Sequence, residues 1–244
     1  MDITIKSFNG IGDALFVTPA LRVIKEAYPD SRIVINTNYP EIFEYNPYVD
    51  VIGREKVGVF LGYPDPIHGV EPRGHHIISD WLIVCRAYGL TTAVPELKPQ
   101  VYCTGAYEPG AAGDYVAVQI THKNQWGAKK VWGKFEDLAR LPGFRPISKA
   151  ENLKKLMKFL KSNRLVVCAE GAISHLCRAL DVPCVVIFGG WASPEWNGYD
   201  EQINITNKIA CSYCYNPRPC GNDKKCMAGI SIEQVQKICE GANI

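Results

Sequence analysis

Three groups of residues have the types and spacing that chemistry requires. The first is Glu170-Gly171-Ala172-Ile173-Ser174-His175. Gly171 and Ala172 have almost no side chain, so a ligand can approach the backbone there. Ile173, Leu176, Cys177 and Leu180 recur at helical spacing. The stretch therefore opens a helix, whose unpaired first-turn N–H groups and partial positive charge suit a phosphate. His175 lies in that turn and can donate a hydrogen bond to the same anion. The same residues would equally serve a plain strand-to-helix turn, where small side chains allow close packing. The second group is Asn9-Gly10-Ile11-Gly12-Asp13, with Asp13 either capping the following helix or holding a carboxylate at a ligand site. The third is Cys211, Cys214, Cys220 and Cys226. The two-residue gap between the first pair lets neighbouring thiolates share one ion. Four thiolates would close a structural metal site, for zinc by default and for iron as the other ion such a site accepts. Reduced cysteines in a loop, or two disulfides, are the alternatives.

Each group needs an element to hold it. Leu165 to Ala169 is a short apolar run of the kind a buried parallel strand has, and it leads straight into Glu170. Cys184 to Phe188 is a second such run, ending in Gly189-Gly190. Two turns at neighbouring strand ends outline a nucleotide crevice at the carboxyl edge of an α/β sheet. Ile3, Ile5 and Phe8 mark a first strand before Gly10, and Ala14 to Ile24 an apolar helix after it, with Pro19 near its start. This resembles a dinucleotide fingerprint, but Leu15 stands where the third glycine belongs, which argues against a nicotinamide site.

The remaining chain keeps a βα rhythm. In the first half, strands are predicted at 32–36 and 49–52, with at most a short one at 57–61. A short helix follows Pro40, and a helix at 77–88 is closed by Gly89. In the second half, strands are predicted near 115–120, 165–168, 184–188 and 202–206, and helices near 133–141, 149–162, 172–180 and 231–240. Residues 53–75 read as a loop over the crevice. The stretch 104–113, rich in glycine, is the best linker, with the boundary near 105–113. The expectation is two open parallel sheets in Rossmann-like domains, residues 1–108 and 109–244, facing a cleft.

Bulk properties narrow the function. A net charge of +2 over 244 residues gives no electrostatic case for nucleic acid as a partner. The N-terminus has no apolar signal-peptide core, and no apolar run approaches the roughly 20 residues of a membrane span. The chain reads as cytoplasmic, without a transmembrane segment. Without a secretory signal, the clustered cysteines favour a metal over disulfides. Cys85, Cys168, Cys177 and Cys184 lie in apolar runs and read as small buried hydrophobes.

Taken in order, several local signals resemble glycosyltransferase family nine, the heptosyltransferases. Gly10-Ile11-Gly12-Asp13-Ala14-Leu15 with Thr18-Pro19-Ala20-Leu21 is similar to the family's opening loop and helix. His76-Ile77-Ile78-Ser79-Asp80 is similar to its mid-domain helix, and Lys130-Val131-Trp132 to its K-x-W motif. Glu170 to His175 resembles its D-[ST]-G-x-x-H turn, with Glu for Asp and Gly-Ala for the next two residues. Cys211 to Met227 and the helix from Ser231 resemble its C-terminal segment. The chain is short for the family. Between Leu141 and Lys149 there is no room for the usual βα unit, so the C-terminal domain reads as reduced.

The resemblance implies a GT-B-type inverting glycosyltransferase. Its N-terminal domain takes the acceptor and its C-terminal domain a nucleotide-sugar donor, typically ADP-heptose. Asp13 would be the general base, after the Gly10–Gly12 loop. Lys130 would neutralise the leaving diphosphate. Gly171, Ala172 and His175 would hold that diphosphate, and Glu170 would accept hydrogen bonds from sugar or ribose hydroxyls. A glycan, a lipid-linked glycan or a protein would be the acceptor. The competing reading is a non-catalytic member of the fold that binds a nucleotide-sugar or a partner.

Overall fold

The computed structural model describes residues 1–61, 74–102, 113–121, 130–215 and 220–242. The linker at 104–112, most of the loop at 53–75, and Pro217 and Pro219 lie outside them. The chain divides into two compact units, Met1–Tyr107 and Glu108–Ile244.

Unit 1 is built on the parallel strands β1 (Asp2–Ser7), β2 (Arg32–Thr37), β3 (Val51–Gly53) and β4 (Val59–Phe60), in the order β3-β2-β1-β4. Ile3, Ile5, Ile33 and Ile35 are fully buried. Helix α1 (Ile11–Ala27) supplies Leu15, Phe16, Leu21 and Ile24 to this core. Pro19 falls in mid-helix, not near its start. A mid-helix proline leaves the carbonyl four residues back without its donor. Here that carbonyl belongs to Leu15, and the Thr18 hydroxyl donates to it at 2.8 Å. Helix α2 (His76–Tyr88) begins after His75, whose Nδ1 accepts from the Ile77 N–H, and ends at Gly89 with φ 62°. Only glycine adopts that left-handed conformation at little cost.

Unit 2 holds five parallel strands in the order β6-β5-β7-β8-β9. These are β5 (Gly113–Gln119), β6 (Phe144–Ile147), β7 (Asn163–Ala169), β8 (Cys184–Phe188) and β9 (Ile203–Thr206). Strand β6 corrects the sequence reading, which left no βα unit between Leu141 and Lys149. Pro146 lies within it, and proline cannot donate to a ladder. As β6 is an edge strand paired only with β5, one of its sides needs no donors. Helices α3 (Phe135–Ala139), α4 (Leu153–Lys161), α5 (Ala172–Ala179), α6 (Pro194–Asn197), α7 (Lys225–Ala228) and α8 (Ile232–Gly241) complete the unit. In α4, Leu153, Met157 and Leu160 are buried at helical spacing while the lysines face outward. Asn152 caps it by accepting from the Lys155 N–H at 2.9 Å. Trp132 and Phe135 pack with Val167, Ile187, Met227 and Val235 in the core. The Trp132 Nε1–H and Lys134 Nζ both donate to the Ile230 carbonyl, which ties the segment before α8 to the residues after β5.

Candidate functional site

After β5 the chain goes to β6 on one side of the sheet, then returns to β7 on the other. The carboxyl ends of β5 and β7 are therefore a topological switch point, the place where open α/β sheets bind ligands. Gln119 ends β5. Its side-chain oxygen accepts from the Ala169 N–H at 3.1 Å and its amide donates to the Thr121 carbonyl at 2.9 Å. The two strand ends are thus tied together where they open.

Glu170 and Gly171 follow β7 directly. Gly171 has φ 144°, a conformation that side chains rarely adopt, and a Cβ there would meet nothing within 4 Å. The constraint at this position is the backbone, not space. The Ser174 hydroxyl accepts from the Gly171 N–H at 3.2 Å and donates to the Gly171 carbonyl at 2.8 Å. Gly171's own N–H is therefore engaged. The N–H groups of Ala172, Ile173 and Ser174 have no carbonyl four residues back within the helix, the arrangement from which a helix start can donate to an anion.

Lys130 and Glu170 come together here. Lys130 Nζ lies 2.8 Å from Glu170 Oε2, forming an ion pair. The Asn197 amide donates to Glu170 Oε1 at 2.5 Å. Glu170 is 5% exposed, so the fold has placed a carboxylate where it needs partners. Lys130 Nζ also sits 5.7 Å from the centre of the Trp191 ring, in cation–π range. Trp191 in turn packs on Tyr215, with ring centres 4.7 Å apart. His175 is 1% exposed, and its Nδ1 is 3.0 Å from the Tyr199 hydroxyl. Burial pushes the Tyr199 hydroxyl well above its usual range, so it stays protonated.

In unit 1, Gly12 and Asp13 lie in the first turn of α1. A Cβ on Gly10 would stand 2.9 Å from Asp13 Oδ2, so glycine there makes room for the carboxylate. Phe16 packs on His76 at 5.1 Å between ring centres. Asp13 precedes Phe16 by three residues and Asp80 follows His76 by four, so each acid shares a helix face with a ring of that contact. Asp80 is 7% exposed, and burial, followed by the Asp13 charge, pushes its carboxyl well above the usual range.

The cysteine segment departs from the expected closed site. Among the described residues no group of three or more His, Cys, Asp or Glu side chains is disposed to hold one ion. Cys211 Sγ accepts from the Asn222 amide at 3.3 Å, and Cys220 Sγ from the Lys224 N–H at 3.4 Å. The Cys214 thiol is 3.6 Å from the Gly190 carbonyl. Burial pushes the Cys226 thiol up, as do Cys211, Cys220 and Cys214. The four are neighbours, but as placed they are not a ligand set. Their segment is joined to the turn after β8. The Tyr213 N–H donates to Gly189 at 2.7 Å and the Tyr215 N–H to Trp191 at 3.3 Å.

Residues 147–225 match glycosyltransferase family 9 (heptosyltransferase). No curated protein matches the chain in sequence. Among solved structures, a family 9 glycosyl transferase from Veillonella parvula superposes with a TM-score of 0.68 at 16% identity, over 98% of this chain and 96% of that one. The iron-containing dodecameric glycosyltransferase TibC of enterotoxigenic E. coli gives 0.73 at 15% identity, over 98% and 77%. E. coli heptosyltransferase WaaC with ADP gives 0.64 at 14% identity, over 98% and 99%. Over residues 147–225 the chain is similar to the family 9 glycosyltransferases. At these identities the structural likeness speaks for the α/β fold with its two parallel sheets, and the family match lies within unit 2. The match spans β7, Glu170 to His175 and β8, the elements that build the switch-point site. Sequence reading missed Trp191, Asn197, Tyr199 and Gln202 around that site. Trp191 directly follows the Gly189-Gly190 turn that had been singled out, which was the available signal.

Proposed function

We propose that this chain moves a sugar, a heptose in our reading, from a nucleotide-diphosphate donor such as ADP-heptose to an acceptor hydroxyl, inverting the anomeric carbon. The observation that carries the reading is the Lys130–Glu170 pair at the unit 2 switch point, beside the Gly171 turn. A cation, a helix N-terminus and a side-chain-free approach are together what a diphosphate needs. Support for the donor comes from neighbours of the same fold, solved with ADP and with ADP-2-deoxy-2-fluoro heptose. In this reading unit 2 takes the donor and unit 1 the acceptor, which is a glycan, a lipid-linked glycan or a protein in the cytoplasm.

The chemistry balances as follows. Asp13 removes the proton from the acceptor hydroxyl as its oxygen attacks the anomeric carbon. The bond from that carbon to the diphosphate breaks, and the diphosphate leaves with the electron pair. Lys130 and the first-turn N–H groups of Ala172 and Ile173 stabilise the charge that collects there. Glu170 holds Lys130 and accepts from a donor hydroxyl. His175, whose Nδ1 lies 3.0 Å from the Tyr199 hydroxyl, helps to hold the same diphosphate.

A structural metal, zinc or iron, held by Cys211, Cys214, Cys220 and Cys226 completes the reading. It requires the four side chains to draw in around Cys226. Support comes from the closeness of the four sulfurs, since Cys211, Cys220 and Cys214 all act on Cys226, and from a segment with few apolar residues. Elemental analysis of protein purified without chelator checks this. About one metal per chain is expected; a content near zero with four titratable thiols overturns it.

The central test is incubation of the purified chain with ADP-heptose, UDP-sugars and a glycan fraction. ADP release that depends on acceptor, with thermal stabilisation by ADP over UDP, is the expected result. No stabilisation and no donor turnover would reject the reading. Stabilisation without turnover would favour a non-catalytic binder.

A further inference from the structure

Three polar side chains from one short segment after β8 are more than nine-tenths buried: Asn197, Tyr199 and Gln202. Each grips a different residue of the Glu170–His175 turn. Asn197 Nδ2 donates to Glu170 Oε1 at 2.5 Å, the Tyr199 hydroxyl meets His175 Nδ1 at 3.0 Å, and Gln202 Nε2 donates to the Ser174 carbonyl at 2.7 Å. The segment is itself braced, since Asn204 Nδ2 donates to the Tyr199 carbonyl at 3.1 Å. Gly198 lets the chain turn tightly between the first two grips: a Cβ there would stand 2.7 Å from the Pro194 carbonyl oxygen. Apolar side chains would fill this space without the cost of burying polar groups. Satisfied buried polar networks fix one geometry, which apolar packing does less well.

We propose that residues 197–202 form a clamp that positions the donor turn, and that Asn197 sets the place of Lys130 through Glu170. The proposal rests on the diphosphate reading for its functional meaning, but the clamp itself is readable without any nucleotide. Glu170 has two oxygens and two partners. With Oε1 pinned by the Asn197 amide, Oε2 is the oxygen presented to Lys130. Without Asn197, the carboxylate can rotate, Oε2 is no longer held toward Lys130, and the lysine is released from the pair. Asn197 is thus a positioning residue: it acts through Glu170 and not on the diphosphate.

Two readouts test this. The first is acetylation of Lys130 in nucleotide-free protein, followed by mass spectrometry. Asn197→Ala should raise Lys130 labelling several-fold, toward the level of Glu170→Ala; unchanged labelling overturns the clamp. The second is ADP affinity by calorimetry in a double-mutant cycle. Asn197→Ala should weaken ADP by about tenfold alone, and by less than about twofold in a Glu170→Ala background. The same loss in both backgrounds would mean that Asn197 acts elsewhere, which also overturns the proposal. Asn197→Asp guards against misfolding, because it keeps the shape. Its protonated form can donate to Glu170, while its ionised form repels it. Affinity relative to the parent chain should be restored at acid pH and lost at alkaline pH; a pH-independent loss counts against the clamp. If Lys130→Ala leaves ADP affinity unchanged, the diphosphate reading fails, and the labelling result still decides the clamp.

Discussion

Asp80 offers a quantitative test of how unit 1 is built. Its side chain is 7% exposed on α2, and burial first, then the Asp13 charge, raises its carboxyl well above the usual carboxylate range. Over the interval between the unfolded value and the raised native value, the native state keeps a proton that the unfolded state has released. Stability from this group is therefore fully present below the unfolded value and is lost as pH rises toward the native one. The slope is at most about 1.4 kcal/mol per pH unit, so two units inside the interval remove about 2.7 kcal/mol. Asp80→Asn replaces the neutral acid with a neutral isostere and removes this slope. With Asp13→Asn carried in both proteins, the remaining groups titrate alike, so the difference between them isolates Asp80. Hydrogen exchange of peptides covering α1 and α2, corrected for the intrinsic rate, gives the opening free energy from about pH 4.5 upward. The variant should gain on the parent chain steadily as pH rises. Parallel curves would refute the reasoning, because they would mean that Asp80 is already ionised in the native state over this range.

Asp13→Asn should keep ADP affinity and lose transfer by a hundred- to ten-thousand-fold, roughly what a general base contributes; retention of the parent rate would leave Asp13 only a helix-start role. Lys130→Ala should weaken ADP in calorimetry, with the loss shrinking as salt rises; unchanged affinity removes the lysine from the site. Asp50 accepts from the Ile33 N–H at 2.7 Å and pairs with Lys25 at 2.9 Å, and these two contacts, in that order, lower its carboxyl. Its contribution is present above the usual carboxylate value and disappears as pH falls through the lowered one. Asp50→Asn should therefore lower the unfolding midpoint near neutral pH by a few degrees and have no effect in strong acid. Equal losses at both pH values would show that the charge is immaterial.

The parts of the fold that were legible in the sequence are those where one residue's environment decides its type. Strand β8 is buried throughout and β7 from Leu165 on, so these stretches read as unbroken apolar runs, and the turn that follows β7 shows itself by Gly171. Helices α2, α4 and α8 carry apolar stripes with a cap or a C-terminal glycine at one end. Strand β6 was not legible, because an edge position tolerates a proline that an interior strand does not. The Lys130–Glu170 pair joins residues forty positions apart, and the β5-to-β7 crossover that brings them together has no local signature. Asn197, Tyr199 and Gln202 were invisible for a further reason. Their neighbours in sequence include Trp196, Gly198 and Asp200, a pattern with neither a strand nor a helix period, so nothing local says that three of these polar side chains are buried. Only the sheet order, which places the segment after β8 against the turn after β7, makes them partners of the site. The turn residues could thus be found from their own types, whereas the residues that hold the turn in place are defined by what they touch. A search for positioning residues in this fold therefore begins at the strand beside the switch point, not at the motif.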